Sequence, residues 1–170
     1  MKRPREIRMN SKILGIEPLR RRIVAAQRNG RTVALANGCF DLLHAGHIRY
    51  LQDAKRHSDL LVVALNSDRS VRRIKGPHRP VQPEKERAEI IAALACVDFV
   101  TIFNEPDVRK LLRTLKPDFH CKGTDYTQET VPERETAQEV GAHVLICGDP
   151  KDHSTRDLLA RIVRLERRRT

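Results

Sequence analysis

The sequence predicts an α/β fold: a single Rossmann-like, doubly wound domain with a five-stranded parallel sheet and helices on both faces. Three observations carry this. Five short runs are apolar on consecutive residues, as strands covered on both faces require. Between them lie stretches whose apolar residues recur at helical spacing. A chain of 170 residues, 39% hydrophobic, has length for one real core and not for two ordinary domains.

The elements follow in order. A helix over about 17–29 ends at Gly30, a suitable C-terminal cap. Residues 32–37 form a strand burying Val33 and Leu35, and the spacing of Ile48, Leu51 and Ala54 gives a helix from near His47 to about His57. Residues 59–65 are the second strand. Residues 66–82 read as a polar, basic loop carrying Arg69, Arg72, Arg73 and Lys75; it exceeds the usual connection of about 4 to 6 residues, as a functional or mobile segment does. Pro83 opens a helix to about Cys96 with Ile90, Ile91, Leu94 and Ala95 inward. A third strand over 98–103 precedes a helix with Val108, Leu111, Leu112 and Leu115 on one face. A fourth strand at 118–122, a short helix at 132–140, a fifth strand at 142–147 and a last helix bearing Leu158, Leu159, Ile162 and Val163 complete the domain. Its expected limits are 12–165, between basic tails at 1–11 and 166–170.

Composition narrows the function. No apolar run approaches the roughly 18 residues of a membrane span, and the first residues lack the apolar segment of a signal peptide, so a soluble, cytoplasmic protein with no membrane partner is expected. Cys39, Cys96, Cys121 and Cys147 are widely spaced and read as reduced, mostly buried thiols. The net charge of +11 sits in the ends. Residues 1–31 hold ten Lys or Arg against two acids, residues 161–170 hold five against one, and the stretch between holds 18 against 19. A near-neutral body with four Phe, two Tyr and no Trp is a poor nucleic-acid platform, so no nucleic-acid partner is expected.

In doubly wound folds ligands bind outside the carboxyl ends of the strands. The segments there are 37–47, 66–82, 104–107, 122–131 and 148–155. His44 and His47 stand three positions apart at a strand-to-helix handover, with Gly46 leaving room for close approach. Imidazole donors beside unpaired helix N–H groups suit a phosphate, and through it phosphoryl or nucleotidyl transfer. A zinc site with Cys39, or a histidine that merely caps the helix, are the other readings of the same residues. Lys75 is a mobile point charge for phosphates or a solvated lysine. Arg87 reaches a triphosphate from the start of its helix or pairs with Glu84 or another acid. Lys122, Gly123, Asp125 and Tyr126 close a strand end and hold nucleotide or substrate, or form an ordinary turn. Ser154 with Asp157 makes a capping-box pattern, and the hydroxyls of Ser154 and Thr155 also suit a phosphate.

Taken together these residues resemble a known family. Gly38-Cys39-Phe40-Asp41-Leu42-Leu43-His44-Ala45-Gly46-His47 resembles the HxGH signature of the cytidylyltransferase-like nucleotidyltransferases, and Asn66-Ser67-Asp68, Arg73-Ile74-Lys75-Gly76, Glu86-Arg87, Lys122 to Tyr126 and His153 to Thr155 follow in that family's order. Asn37 to Asp41, Arg79-Pro80-Val81, Arg87-Ala88 and Thr130 to Arg134 are similar to the heptose 1-phosphate adenylyltransferases, the ADP-heptose synthases; the likeness spans about 11–165. It implies transfer of AMP from ATP to D-glycero-β-D-manno-heptose 1-phosphate, with Mg2+, for lipopolysaccharide core or related heptose assembly. A glycerol 3-phosphate cytidylyltransferase is the neighbouring reading, and a basic nucleic-acid-binding protein the distant one.

The resemblance also implies roles. His44 and His47 take the α and β phosphates, while Lys75, Arg87, Ser154 and Thr155 hold the outer ones. Asn37, Gly38, Phe40 and the 122–126 loop frame nucleotide and sugar, with Asn66 and Asp68 nearby, and Asp41 fixes its loop. A homodimer is implied too. Many relatives are fused to a sugar kinase, so a separate kinase is expected here. The family's Gly-Gly-Asp-Tyr is Gly123-Thr124-Asp125-Tyr126 in this chain.

Overall fold

A computed structural model describes residues 11–150 and 154–168; the basic tails, apart from Ser11 and residues 166–168, and His153 lie outside the described residues. In order come α1 (Ile16–Arg28), β1 (Val33–Gly38), α2 (Ala45–Arg56), β2 (Leu60–Asn66), α3 (Asp68–Lys75), α4 (Glu84–Ala92), β3 (Phe99–Phe103), α5 (Arg109–Leu115), β4 (Phe119–Gly123), α6 (Arg134–Glu139), β5 (His143–Cys147) and α7 (Thr155–Glu166). Every strand pair is parallel, and the sheet order is β3-β2-β1-β4-β5. The predicted five-stranded doubly wound sheet is thus observed.

That order locates the site. From β1 the chain steps outward through β2 to β3, then crosses back to lay β4 and β5 on the other side. The crevice opens where the direction reverses, at the carboxyl ends of β1 and β4. The amino ends are closed instead. Asp59, Asp98 and Asp118 each sit just before or at a strand start and accept the leading N–H of a neighbouring strand: Thr32 N at 2.8 Å, Leu61 N at 2.7 Å and Val33 N at 2.8 Å.

Two apolar layers clamp the sheet. Leu51 and Ala54 of α2 with Ala88, Ile91 and Ala92 of α4 cover one face; Leu19 and Ile23 of α1 with Leu111, Leu112 and Leu115 of α5 cover the other. β2, an inner strand, is buried at all seven positions, which is why its sequence is apolar from Leu60 to Leu65 before it ends at Asn66 on the cleft. Each such Leu or Ile contributes roughly 1.5–3 kcal/mol.

Three expectations need correction. The segment 66–82 is not loop throughout, because 68–75 forms α3. Ser67 caps it by accepting from Ser70 N at 3.2 Å, but Val71 is its one fully buried apolar side chain, so the helix has almost no apolar face to read. The helix from Pro83 stops at Ala92, with Ile90 38% exposed and Ala95 exposed rather than inward. Lys12 ends it early by donating to the carbonyls of Leu94 (3.3 Å) and Val97 (2.7 Å), which shapes a tight turn into β3. On α7, Ile162 and Val163 are about half exposed although their spacing is that of a packed face. Of the thiols, Cys121 and Cys147 are buried while Cys39 and Cys96 are half-buried; all four are free. Among the described residues no helix is long and apolar enough to cross a membrane.

Candidate active site

The segment after β1 is held from beneath. Asp41, 1% exposed, accepts from Val81 N (2.7 Å) and Gln82 N (3.1 Å) and pairs with Arg79 (2.7 Å), so one buried carboxylate ties the turn after β1 to the segment before α4. Phe40 turns the chain with φ of +44°, a region costly for a non-glycine residue. Its ring is buried against Gly38, where a Cβ would lie 3.0 Å from the aromatic carbons, and stands edge-on to His47 at 5.2 Å. Only glycine fits at position 38 without moving that ring.

α2 then begins with His44 in the N-cap position, yet the His44 side chain makes no cap hydrogen bond. Three residues on, His47 aims the same way, and the two rings stack with centroids 3.8 Å apart and planes 23° apart. Burial first, then the neighbouring His44 and Lys75, lower the pKa of His47 to about 4. At neutral pH its ring is therefore uncharged. Its Nδ1 is buried without a hydrogen-bond partner.

The pair opens onto a cleft of about 1070 Å³ at the switch point. Its walls bring together fourteen of the sixteen residues singled out from sequence: Asn37, Gly38, Phe40, His44, Gly46 and His47 from β1 and the start of α2, Asn66 and Lys75 from β2 and α3, Lys122, Gly123, Asp125 and Tyr126 after β4, and Ser154 and Thr155 at the mouth of α7. Lys122 Nζ lies 3.2 Å from Glu133 Oε2 and 5.0 Å from the centre of the Tyr126 ring. Ser154 Oγ accepts from Asp157 N at 3.1 Å, the capping contact its spacing predicted, and Thr155 Oγ1 donates to Leu42 O at 3.3 Å, docking α7 on the histidine segment.

Arg87 and Asp68 stand outside the cleft. The Arg87 guanidinium is wholly buried: it donates to the carbonyls of Gln82 (2.9 Å), Cys39 (2.6 Å) and Asn66 (2.9 Å) and to Asp68 Oδ1 (2.7 Å). In place of the expected reach toward a triphosphate, it pairs with an acid and pins the tips of β1 and β2 to the start of α4. Arg87 and Ala88 are buried although Pro83, Lys85 and Glu86 before them are exposed, so the helix turns Arg87 inward toward the strand tips and away from solvent.

A family model described as Cytidylyltransferase-like matches residues 35–164. The chain belongs to the cytidylyltransferase-like family. It is thus a nucleotidyltransferase. The bifunctional protein HldE of Syntrophotalea carbinolica is 47% identical over 154 residues, 91% of this chain and 31% of that protein. The bifunctional protein HldE of Campylobacter fetus is 50% identical over 129 residues, 76% of this chain and 27% of that one. The chain therefore spans about a third of the length of these relatives. A crystal structure of the lipopolysaccharide core biosynthesis protein from Thermoplasma volcanium is 30% identical with a TM-score of 0.61, covering 72% of this chain and all of that one.

The cleft has further lining residues that were given no role from sequence: the cations Arg49, Arg79 and Arg156, with Tyr50 and Gly148. Tyr50 had a signal, being one helical turn on from His47, and Arg79 lay within a quoted motif without being given a role. Thr124, where the resembled family has glycine, donates to Asp149 O at 2.7 Å and bridges two walls of the cleft. The described residues do not build a cage for a divalent cation. Asp41 is fully engaged, Asp149 pairs with Arg49 at 3.1 Å, and among the described residues no three His, Cys, Asp or Glu side chains converge as a ligand set. Magnesium suits such a site only as a companion of the nucleotide's phosphates, since it keeps its waters and takes few protein ligands.

Proposed function

We propose that this chain transfers AMP from ATP to D-glycero-β-D-manno-heptose 1-phosphate, releasing pyrophosphate and giving ADP-heptose. The observation that carries the reading is the stacked His44–His47 pair at the start of α2, facing the lysines, hydroxyls and helix mouth of one cleft. The sequence identity to bifunctional HldE proteins supports the heptose substrate.

The chemistry needs little from the protein beyond placement and charge. An oxygen of the sugar phosphate attacks the α-phosphorus of ATP; the new P–O bond forms as the bond to the β-phosphate oxygen breaks, and the electron pair leaves on pyrophosphate. The nucleophile is already an anion, so no strong base is required. Two polyanions must be brought into contact, and negative charge grows on the α-phosphoryl and leaving oxygens. His47, neutral in the free cleft, has its Nδ1 buried; the hydrogen then sits on Nε2, the nitrogen free to donate to a phosphate. Lys75 and Lys122 are further donors for the remaining phosphate oxygens; the hydroxyls of Ser154 and Thr155 donate to Asp157 and to Leu42 O in the free cleft and have to turn to join them.

Pyrophosphate release measured with ATP or CTP, each paired with heptose 1-phosphate or glycerol 3-phosphate, tests this. Turnover is expected with ATP and heptose 1-phosphate above the other three pairs. Preference for CTP with glycerol 3-phosphate would replace the reading with the neighbouring one.

A further inference from the structure

His120 is fully buried in β4, in register with Leu35 of β1, and no step proposed above uses it. Its Nε2 lies 3.3 Å from Oδ1 of Asn37, the residue whose side chain borders the cleft at the end of β1. Its Nδ1 is buried without a hydrogen-bond partner. Burial, then the charge of Lys122, depress its pKa to about 3, so the ring is neutral across the physiological range and carries one N–H.

A neutral ring facing an amide admits two arrangements. In one, Asn37 donates to Nε2, and the ring hydrogen sits on Nδ1 with nothing to receive it. In the other, Nε2–H donates to Asn37 Oδ1, and Nδ1 holds only a lone pair. A buried N–H left without an acceptor costs on the order of 1–3 kcal/mol, and buried unpaired donors are rarer than under-used acceptors. The second arrangement is favoured.

We infer that His120 is a positioning residue: its Nε2–H holds the carbonyl oxygen of Asn37 inward and thereby presents the Asn37 amide N–H groups to the cleft as donors for a substrate oxygen. An aspartate or a flipped amide at 37 would offer that oxygen an acceptor and repel it. The acceptor class is a phosphate or hydroxyl oxygen, on either the nucleotide or the sugar phosphate. The inference rests on the nucleotidyl-transfer reading for its substrate and on the β1–β4 geometry for everything else.

The ring tautomer is measured first, by long-range proton–nitrogen correlation spectra of the full chain. The Nε2–H pattern at His120 is expected, and an Nδ1–H pattern overturns the inference without reference to activity. Kinetics and ATP titration calorimetry then compare His120→Phe, which removes the donor, His120→Gln, which keeps one, Asn37→Ala, and the double variant. His120→Phe should weaken one substrate about tenfold in KM or Kd with a smaller change in kcat, as loss of one positioned hydrogen bond predicts. The affected substrate tells nucleotide from sugar-phosphate contact. His120→Gln should recover most of the loss, and the double variant should be no worse than Asn37→Ala alone. Additive losses overturn it. If His120→Phe does not fold, the tautomer measurement still decides. A wild-type chain that binds ATP but turns over no acceptor sinks the function reading and leaves His120 to be judged by tautomer and ATP affinity.

Discussion

Arg87→Met distinguishes a phosphate-holding arginine from the buried strut observed. Its guanidinium satisfies three backbone carbonyls and the Asp68 carboxylate, with no exposed surface of its own. Methionine preserves much of the volume but leaves those acceptors bare. Breaking a buried charge pair by removing one partner costs about 3–5 kcal/mol. Asp68 keeps 25% of its side chain in water, which hydrates the orphaned carboxylate and places the loss near 3 kcal/mol. For a chain of this length each kcal/mol lowers Tm by roughly 2–4 °C, so a fall of roughly 6–12 °C is expected in calorimetry, with a matching drop in the urea midpoint. Arg87→Lys restores charge but not the fork of donors and should recover only part of it. A variant with wild-type Tm and a raised KM for ATP would refute the strut and reinstate direct phosphate contact.

His44→Ala and His47→Ala should each lower kcat on the order of a hundredfold or more with the fold intact, measured by pyrophosphate release; unchanged turnover in both would remove the histidines from the chemistry. His47 and His120 are held neutral in the folded chain, with pKa values of about 4 and about 3 against roughly 6.5 when unfolded. Between those values the unfolded chain binds more protons, so stability is complete above about pH 6.5 and is lost as pH falls toward 4, by up to about 3 kcal/mol for His47 alone. Urea midpoints across that range should decline for the wild type and decline less for His47→Gln; parallel curves would contradict the assignment. Asp41→Asn can keep its Oδ1 for the donors at 81 and 82 but replaces the oxygen facing Arg79 with an N–H, so it loses that pair and should loosen the 79–82 segment, seen as faster hydrogen exchange there, while the sheet keeps its protection.

The fold was legible because its strands obey one simple rule. β2 is buried on both faces, and its consecutive Leu, Val and Ala residues say so without any long-range information. The histidine pair was legible for a similar local reason: spacing of three on a helix start fixes relative direction before any tertiary contact forms. α3 was not, since its one buried apolar anchor, Val71, sits among arginines and gives no face to detect. Arg87 was left between a triphosphate and an acid partner because sequence reveals a cation near a helix start but not which way the helix turns it; the structure pairs it with Asp68. Arg49 and Arg156 were missed for the converse reason: each is an ordinary exposed helix residue until the crossover from β3 to β4 brings their helices around one cleft.

The central claim is that one cleft brings a sugar phosphate oxygen and the α-phosphorus of ATP together for a single displacement. The stereochemical course at phosphorus tests it most directly, using ATP chirally labelled with sulfur on the α-phosphate and analysis of the nucleotide sugar formed. Inverted configuration is the expected result. Retention would mean two displacements through a covalent nucleotidyl-protein, and would contradict the claim.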